Sequence, residues 1–322
     1  MITDRRHLLG LAALAAAAPA AVPAVADPGD PDETVALWPG KPPGAPAVLP
    51  RDEVVNRIAT SGFQDRFVTN IGAPVMTVFR PKTPNGAAAL LIPGGGYVRV
   101  VIDKEGFEVA HRLAAAGVTA FVLRYRLPPE GWANRADVAL QDAQRAMRLI
   151  RGNAAAWRID PARVVAMGFS AGGHVAASLA TGHARPTYAP VDAADALSAR
   201  PDLSALLYPV IDMAPPFAHA GSRTALLGPG PTPQAEAAYS PQRHVTAGTP
   251  PTFLAHAADD ASVPVDNSLN YLAALRAAKV RAEAHIFEEG GHGFGLYLAR
   301  GKPAAAWPDL FLSWAARHNW GG

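Results

Sequence analysis

The sequence predicts an α/β fold in which a mostly parallel sheet is covered by helices on both faces. Short apolar runs alternate with segments of helical periodicity along most of the chain, an order that is typical of parallel sheets. Several of these runs are apolar without alternation, as expected for strands whose two faces are both covered. The chain has 322 residues, 49% of them hydrophobic, which is enough for one large buried core.

The first residues have the pattern of an export signal. Arg5 and Arg6 precede an Ala/Leu-rich stretch, and an Ala-Val-Ala cleavage site ends at Ala26. The paired arginines favour the twin-arginine route. The stretch contains two prolines and barely reaches the roughly 20 apolar residues that a membrane span needs. We therefore expect residues 1–26 to be a signal peptide, the mature protein to be periplasmic or secreted, and no stable membrane insertion after processing.

The elements of the mature chain follow in order. Residues 27–60 are rich in Pro and Gly, and we expect them to form a strap without packed elements on one large domain, residues 61–322. Apolar runs predict strands at residues 67–69, 75–79, 87–92, 118–123, 164–167, 203–210, 251–257 and 282–287. Amphipathic spacing predicts helices at residues 105–116, 137–153, 172–181, 266–278 and 307–318.

Composition excludes several kinds of function. The formal charge is +2 with Lys and Arg scattered along the chain, so the sequence predicts no nucleic-acid partner. Cysteine is absent, which excludes thiolate catalysis, disulfides and Cys-based metal sites. Any covalent catalysis must therefore use another nucleophile.

Ser170 is the candidate nucleophile. It is the central residue of a GxSxG motif, Gly168 to Gly172, between an apolar run and an Ala-rich helical segment. A serine hydroxyl is a poor nucleophile until a sharp strand-to-helix turn presents it beside a base and an anion-stabilising pocket. The context before and after the motif fits such a turn, and the alternative is a Gly-rich structural turn.

A second glycine-rich loop follows the strand predicted at residues 87–92. It contains three consecutive glycines, Gly94, Gly95 and Gly96. Backbone N–H groups in such a loop can turn toward a developing oxyanion, because no side chains stand in the way. A plain flexible turn is the alternative.

The candidate base and its acidic partner follow later strands. His292 lies in a Gly-rich loop directly after the last predicted strand, and histidine can take and return a proton near neutral pH. Asp259 and Asp260 both follow the strand at residues 251–257, and residue chemistry alone does not separate them; Asp212 is an outside candidate. The chain order serine, acid, histidine is the order that this architecture requires.

Further motifs strengthen this pattern. They are Pro93-Gly94-Gly95-Gly96-Tyr97, Arg124-Tyr125-Arg126-Leu127, Tyr208-Pro209-Val210-Ile211, Leu226-Leu227-Gly228, Tyr239-Ser240-Pro241, and Asp260 with Val263-Pro264. In combination, from about residue 90 to residue 295, the chain resembles α/β-hydrolase esterases of the acetyl xylan esterase and feruloyl esterase type, which are related to the hormone-sensitive lipase group.

The resemblance implies roles for six residues. Ser170 is then the nucleophile, with Asp260 and His292 as its partners, and residues 61–322 are the catalytic domain. The family spacing selects Asp260, because the acid stands four residues after the strand histidine and four before the proline. Backbone N–H groups of Gly95, Gly96 and Ala171 are then the oxyanion hole. No metal and no organic cofactor are expected.

The same resemblance indicates the substrate class. Pro93 stands where the lipase-like relatives carry His, which favours carbohydrate esters over long-chain lipids. We therefore expect a secreted serine carboxylesterase that removes acetyl or other small acyl groups from a small acylated substrate, a sugar ester. The insert at residues 186–200 is expected to shape the cleft. Two alternatives stay open: an exported serine peptidase of the prolyl-oligopeptidase type, and a non-catalytic carbohydrate-binding protein on a hydrolase fold.

Overall fold

The computed structural model describes residues 30–31, 33–58 and 62–321. The predicted signal peptide, residues 1–26, lies outside the described residues and stays a prediction, as does the domain boundary at residues 60 and 61. Across the described ranges, none of the helices has both the length and the apolar character that crossing a membrane requires.

A large sheet forms the centre of the protein. The strands of the described residues are β1 (Thr34–Ala36), β2 (Glu53–Asn56), β3 (Arg66–Thr69), β4 (Val75–Phe79), β5 (Ala88–Ile92), β6 (Thr119–Arg124), β7 (Val164–Phe169), β8 (Leu203–Leu207), β9 (Thr252–Ala257) and β10 (Ala282–Phe287). Eight of them form one sheet in the order β1-β4-β6-β5-β7-β8-β9-β10. All neighbours from β6 to β10 are parallel, whereas β4 runs antiparallel to β6 and β1 antiparallel to β4. The predicted mostly parallel sheet is confirmed.

Helices connect the strands. Those of the described residues are α1 (Glu108–Ala115), α2 (Val138–Gly152), α3 (Ala154–Trp157), α4 (Ala171–Gly182), α5 (Ala220–Leu227), α6 (Pro233–Ala238), α7 (Asp266–Ala277) and α8 (Trp307–Ala316). Five of them, α1, α2, α4, α7 and α8, correspond to the five predicted helices to within a few residues. A π-helical turn, Asp103–Phe107, precedes α1.

The central strands are buried on both faces. In β5, Leu90 and Ile92 belong to one apolar cluster and Ala89 and Leu91 to another, and β7 alternates in the same way. Since successive side chains of a strand point to opposite faces, the two clusters are the two sides of the sheet. This explains the uninterrupted apolar runs of the sequence.

Strand order places two loops side by side. The chain leaves β5 toward β6 on one side, while β7 pairs with the other side of β5, with Ile92 opposite Gly168. The carboxyl ends of β5 and β7 are therefore adjacent at a point where the strand order reverses. In parallel α/β sheets, ligands bind in the crevice at such a point.

The segment at residues 27–60 is more regular than the sequence analysis expected. β1 extends the large sheet by pairing with β4, and β2 forms an antiparallel pair with β3. Trp38 is buried and donates its indole N–H to Asp142 over 2.8 Å. The expectation of a strap without packed elements is wrong for these residues. β1 is a strand because it pairs with β4, far along the chain, and β2 because it pairs with the neighbouring β3.

The insert at residues 186–200 packs against α2. Arg145 pairs with Asp192 and with Asp195, and Arg148 donates to the Tyr188 hydroxyl over 2.6 Å. These arginines face the insert from one side of α2. The insert does not line the cleft that holds Ser170, so its expected role in shaping that cleft is wrong.

Candidate active site

Ser170 lies on a sharp turn between β7 and α4. Its φ of 53° and ψ of −121° are a strained conformation for a residue with a side chain. A Cβ on Gly168 would overlap the carbonyl oxygen of Gly172, and one on Gly172 would overlap that of Ile92. Gly168 is therefore required because α4 begins close against β7, and Gly172 because the turn lies against the end of β5.

The hydroxyl of Ser170 contacts His292. Ser170 Oγ lies 2.8 Å from His292 Nε2, and His292 Nδ1 lies 2.7 Å from Asp260 Oδ2. A carboxylate only accepts hydrogen bonds, so Nδ1 carries the proton and Nε2 accepts from the serine hydroxyl. The structure thus brings together the three side chains that the sequence analysis singled out, from the ends of β7, β9 and β10.

Asp260 is held from several sides. Its Oδ1 accepts from the backbone N–H groups of Ser262 at 2.8 Å and Val263 at 2.9 Å, while its Oδ2 accepts from His292 and, at 3.2 Å, from His256. Burial acts to raise the pKa of Asp260, but hydrogen bonds from His256 and His292 outweigh it and hold that pKa well below its usual range. The carboxylate is therefore ionised and in position to orient an imidazole.

The two other candidate acids, and the histidine that precedes Asp260, have structural contacts. Asp259 accepts the N–H groups of Gly290 and Gly291 at 3.0 and 2.7 Å, and so shapes the loop before His292. Asp212 accepts from the backbone of Ala214 at 2.9 Å. His256, the strand histidine that precedes Asp260 by four residues, accepts from the Ser268 hydroxyl at 2.8 Å and donates to Asp260.

The glycine loop after β5 is fixed at its base. Gly94 donates its N–H to the buried carboxylate of Glu105 over 2.8 Å, and the Tyr125 hydroxyl donates to the Pro93 carbonyl over 2.9 Å. Gly95 and Gly96 follow with φ of 132° and 67°, which favour glycine. Buried tertiary contacts therefore hold the start of the loop, while its glycines turn along the cleft.

Three backbone N–H groups near Ser170 are available to a ligand. Within the part of the chain that the structure describes, the amides of Gly95, Gly96 and Ala171 have no hydrogen-bond acceptor. Ala171 is the first residue of α4, where a helix leaves its N–H groups unpaired and carries partial positive charge. Gly95 and Gly96 line the same cleft as Ser170 and His292. These donors suit a site where negative charge develops.

The cleft has a volume of about 300 Å³ and includes a residue that the sequence analysis missed, His219. His219 Nδ1 accepts from the Ser222 backbone N–H at 3.1 Å, and the side chain caps α5. Burial, followed by the charge of His292, lowers the pKa of His219. His219 lies far past β8 in an irregular connection, so no strand-end or motif signal in the sequence could have singled it out.

Several known proteins with similar sequences or structures are named esterases or carboxylesterases. The BD-FAE family model matches residues 76–275. An acetylxylan esterase of Xylanibacter ruminicola is 34% identical over 237 residues, which are 71% of this chain and 46% of that protein. The chain thus spans about half the length of this curated relative.

Solved structures agree with the family match. An acetyl ester-xyloside bifunctional hydrolase of Caldicellulosiruptor lactoaceticus is 34% identical with a TM-score of 0.73, covering 91% of this chain and 98% of that one. The carboxylesterase Cest-2923 of Lactobacillus plantarum is 26% identical with a TM-score of 0.64, covering 84% and 98%. The predicted resemblance and the α/β-hydrolase fold are confirmed, and this chain belongs to the BD-FAE family.

Proposed function

We propose that this protein is a serine carboxylesterase that removes acetyl or other small acyl groups from carbohydrate esters. The observation that carries the proposal is the hydrogen-bonded series from Ser170 Oγ through the imidazole of His292 to Asp260 Oδ2, with distances of 2.8 and 2.7 Å. This series ends at a serine hydroxyl in an open cleft, which is the arrangement that acyl transfer to a nucleophile needs.

Acylation begins at Ser170. Its Oγ attacks the ester carbonyl carbon while the hydroxyl proton passes to His292 Nε2, and Asp260 stabilises the imidazolium through Nδ1–H. The carbonyl oxygen becomes an oxyanion, which accepts hydrogen bonds from the N–H groups of Gly95, Gly96 and Ala171. The bond to the alcohol oxygen then breaks, and His292 gives the proton to the departing alcohol.

Deacylation repeats these steps with water. His292 takes a proton from a water molecule whose oxygen attacks the acyl-enzyme carbonyl, and the same N–H groups stabilise the second oxyanion. The bond to Ser170 Oγ breaks, and His292 returns the proton to that oxygen. The products are the carboxylic acid and the free serine, so the side chains of this chain account for every proton transfer.

The size of the cleft and the relatives support the substrate class. A volume of about 300 Å³ is at the lower end of the range of about 300–1,000 Å³ for ligand pockets. Two of the similar proteins carry acetylxylan or acetyl ester-xyloside activity in their names. Pro93, which the Tyr125 hydroxyl holds, agrees with the carbohydrate-ester pattern of the family.

The proposal is tested by labelling and by a substrate panel. We expect a fluorophosphonate to label Ser170, as located by peptide mass mapping, and acetylated xylo-oligosaccharides to be deacetylated with a higher kcat/KM than nitrophenyl butyrate. Labelling of another residue would reject the nucleophile assignment. Hydrolysis of proline nitroanilides in preference to all esters would indicate a peptidase instead.

We further propose that the enzyme acts after export. The support is the paired Arg5 and Arg6 ahead of the Ala-rich stretch. Fractionation of cells should find esterase activity in the periplasm or medium, and replacement of both arginines by lysine should move it to the cytoplasm. Unchanged location of the double variant would reject the twin-arginine route.

A further inference from the structure

The cleft that contains Ser170 is lined by cations. Arg57, Arg99 and Lys104 line it together with His219 and His292. The acidic residue among its lining residues is Glu105, whose oxygens accept the Gly94 N–H at 2.8 Å and the Tyr208 hydroxyl at 3.2 Å. Glu105 is buried and engaged in holding the loop, so the lining carries an excess of positive charge.

Two of these cations are not neutralised by the protein. Arg57 forms an ion pair with Asp65 at 2.7 Å. Among the residues that the structure describes, no carboxylate lies within ion-pair distance of Arg99 or Lys104. Arg99 packs over the ring of Phe67, with its guanidinium carbon 5.1 Å from the ring centroid. Two cationic side chains thus line the cleft without a carboxylate partner among the described residues.

Both cations lie beside residues that the proposed reaction uses or that adjoin them. The Arg99 side chain lies against Gly95, since its Cγ is 2.7 Å from where a Cβ of Gly95 would stand. Lys104 Nζ lies 3.2 Å from the corresponding position on Gly293, the residue next to His292. In the proposed reaction His292 gives its proton to the departing alcohol, so Lys104 lies on the side of the alcohol part of the ester.

We propose that Arg99 and Lys104 form a subsite for a carboxylate on the sugar part of the substrate, so that acylated uronic acid units are preferred over neutral ones. This inference rests on the proposed esterase function and names the substrate class of the same cleft. The planar fork of Arg matches a carboxylate, and Lys adds a point charge. Charged hydrogen bonds of this kind are worth more than neutral ones.

The test compares substrates that differ in one charge. The pair is a monoacetylated methyl glucuronoside and its uronamide, in which an amide replaces the carboxylate at nearly constant size. Acetate release at low ionic strength gives kcat/KM for each. We expect about a tenfold preference for the acid, and we expect added salt to reduce it.

Variants assign the preference to the two residues. Arg99→Gln and Lys104→Gln should each lower the acid-to-amide ratio toward 1, whereas Arg99→Lys should retain most of it. Lys82→Gln is the matched control. Lys82 is exposed and follows β4, which is antiparallel to β6, so it lies at the opposite edge of the sheet from Ser170. Circular dichroism and Tm measurements ensure that the folded variants are compared.

The outcomes separate the subsite from the esterase proposal. A wild-type ratio of 1, or a ratio that neither glutamine variant changes, would overturn the subsite while leaving the esterase proposal intact. A preference for a succinyl ester of a neutral sugar, lost in the same variants, would overturn the assignment to the sugar side. Absence of acetate release from both sugars and from nitrophenyl acetate would overturn the proposed function itself.

Discussion

Asp260 and Asp142 are both buried carboxylates, but their hydrogen-bond networks end differently. The Asp142 carboxylate accepts hydrogen bonds from the backbone N–H and the guanidinium of Arg126, at 2.8–3.0 Å. It also accepts one from the Trp38 indole at 2.8 Å. Both members of the Arg126–Asp142 pair have no exposed side-chain area. Asp260 is equally buried, yet the network that starts from it leads through His292 to the Ser170 hydroxyl in an open cleft.

The difference distinguishes a network with a structural role from the one to which we assign the proposed reaction. The hydrogen-bonding groups around Asp142 all have partners within the protein. Arg126 also donates to the Pro43 carbonyl at 2.6 Å and to the Gln141 side chain at 2.9 Å. Around Asp260 the last group is a hydroxyl on a strained turn with unpaired N–H groups close by. Burial and charge alone do not distinguish the two, but the group at the end of each network does.

The largest expected effect is at that terminal hydroxyl. Ser170→Ala should lower kcat for ester hydrolysis by about 10⁵- to 10⁶-fold, because no other group in the series can form the acyl-enzyme. The free energy of unfolding should change by less than about 1 kcal/mol, since the cleft side of the network is open. Parallel measurement of nitrophenyl acetate hydrolysis and urea unfolding checks both. Near-normal turnover by the folded Ser170→Ala variant would show that the hydroxyl at the end of the Asp260 network is not the nucleophile.

The next largest effect should be at Asp260. Asp260→Asn keeps the volume but removes the charge that fixes the proton on His292 Nδ1, so kcat should fall by about 10⁴-fold. Asp259→Asn is the control, because among the described residues Asp259 accepts hydrogen bonds from backbone N–H groups and not from His292. We expect less than a tenfold loss there, and equal losses in the two variants would show that the acid was assigned wrongly.

In the network around Asp142, we expect a substitution to change the free energy of unfolding and to leave turnover nearly unchanged. Asp142→Asn leaves the buried guanidinium of Arg126 without its counter-charge, which should lower the free energy of unfolding by about 3–5 kcal/mol. Turnover by the folded fraction should stay within about threefold of wild type. Asp309→Asn breaks the exposed pair with Arg112 and should cost less than about 1 kcal/mol. A catalytic loss in Asp142→Asn without a stability loss would contradict this division.

The sequence predicted elements well where local pattern and tertiary structure agree. The strand expected at residues 282–287 is observed as Ala282–Phe287. The helix expected from residue 105 instead starts as α-helix at Glu108, after a π-helical turn. There, Asp103 pairs with Arg66 at 2.7 Å and Glu105 holds the Gly94 N–H. The spacing of apolar residues along the sequence cannot indicate these long-range contacts, nor the pairing with β4 that makes β1 a strand.

The site follows the same rule. Strand ends and chain order pointed to Ser170, His292 and an acid, because a parallel sheet gathers such groups at one edge. Residue chemistry does not separate neighbouring Asp259 and Asp260, whereas the spacing of the resembled family selects Asp260. The path of the loop is the physical reason, because it turns Asp260 toward the imidazole and Asp259 toward the backbone of Gly290. His219 reaches the cleft through an irregular connection that no pattern describes.

His174 gives the smallest predicted effect and sharpens the comparison, because it is a buried histidine in a closed network. Its Nε2 donates to the Tyr239 carbonyl at 2.7 Å, and its Nδ1 accepts from the Tyr97 hydroxyl at 2.6 Å. Burial lowers the pKa of His174 to about 4. In the unfolded chain a histidine has a pKa of about 6.5. At pH values between about 4 and 6.5, the unfolded chain therefore binds a proton at this residue that the folded protein does not bind.

Stability should therefore fall as the pH drops from about 6.5 to about 4, by about 3 kcal/mol from this group. Urea unfolding at pH 7 and pH 4.5 should give a smaller pH-dependent loss for His174→Gln than for wild type, even if the variant is less stable at both. Exposed His244 provides the control, and His244→Gln should keep the wild-type loss. Identical losses in all three proteins would place the acid sensitivity elsewhere. The effect should appear in unfolding and not in turnover, because this network, unlike that of His292, ends on the protein on both sides.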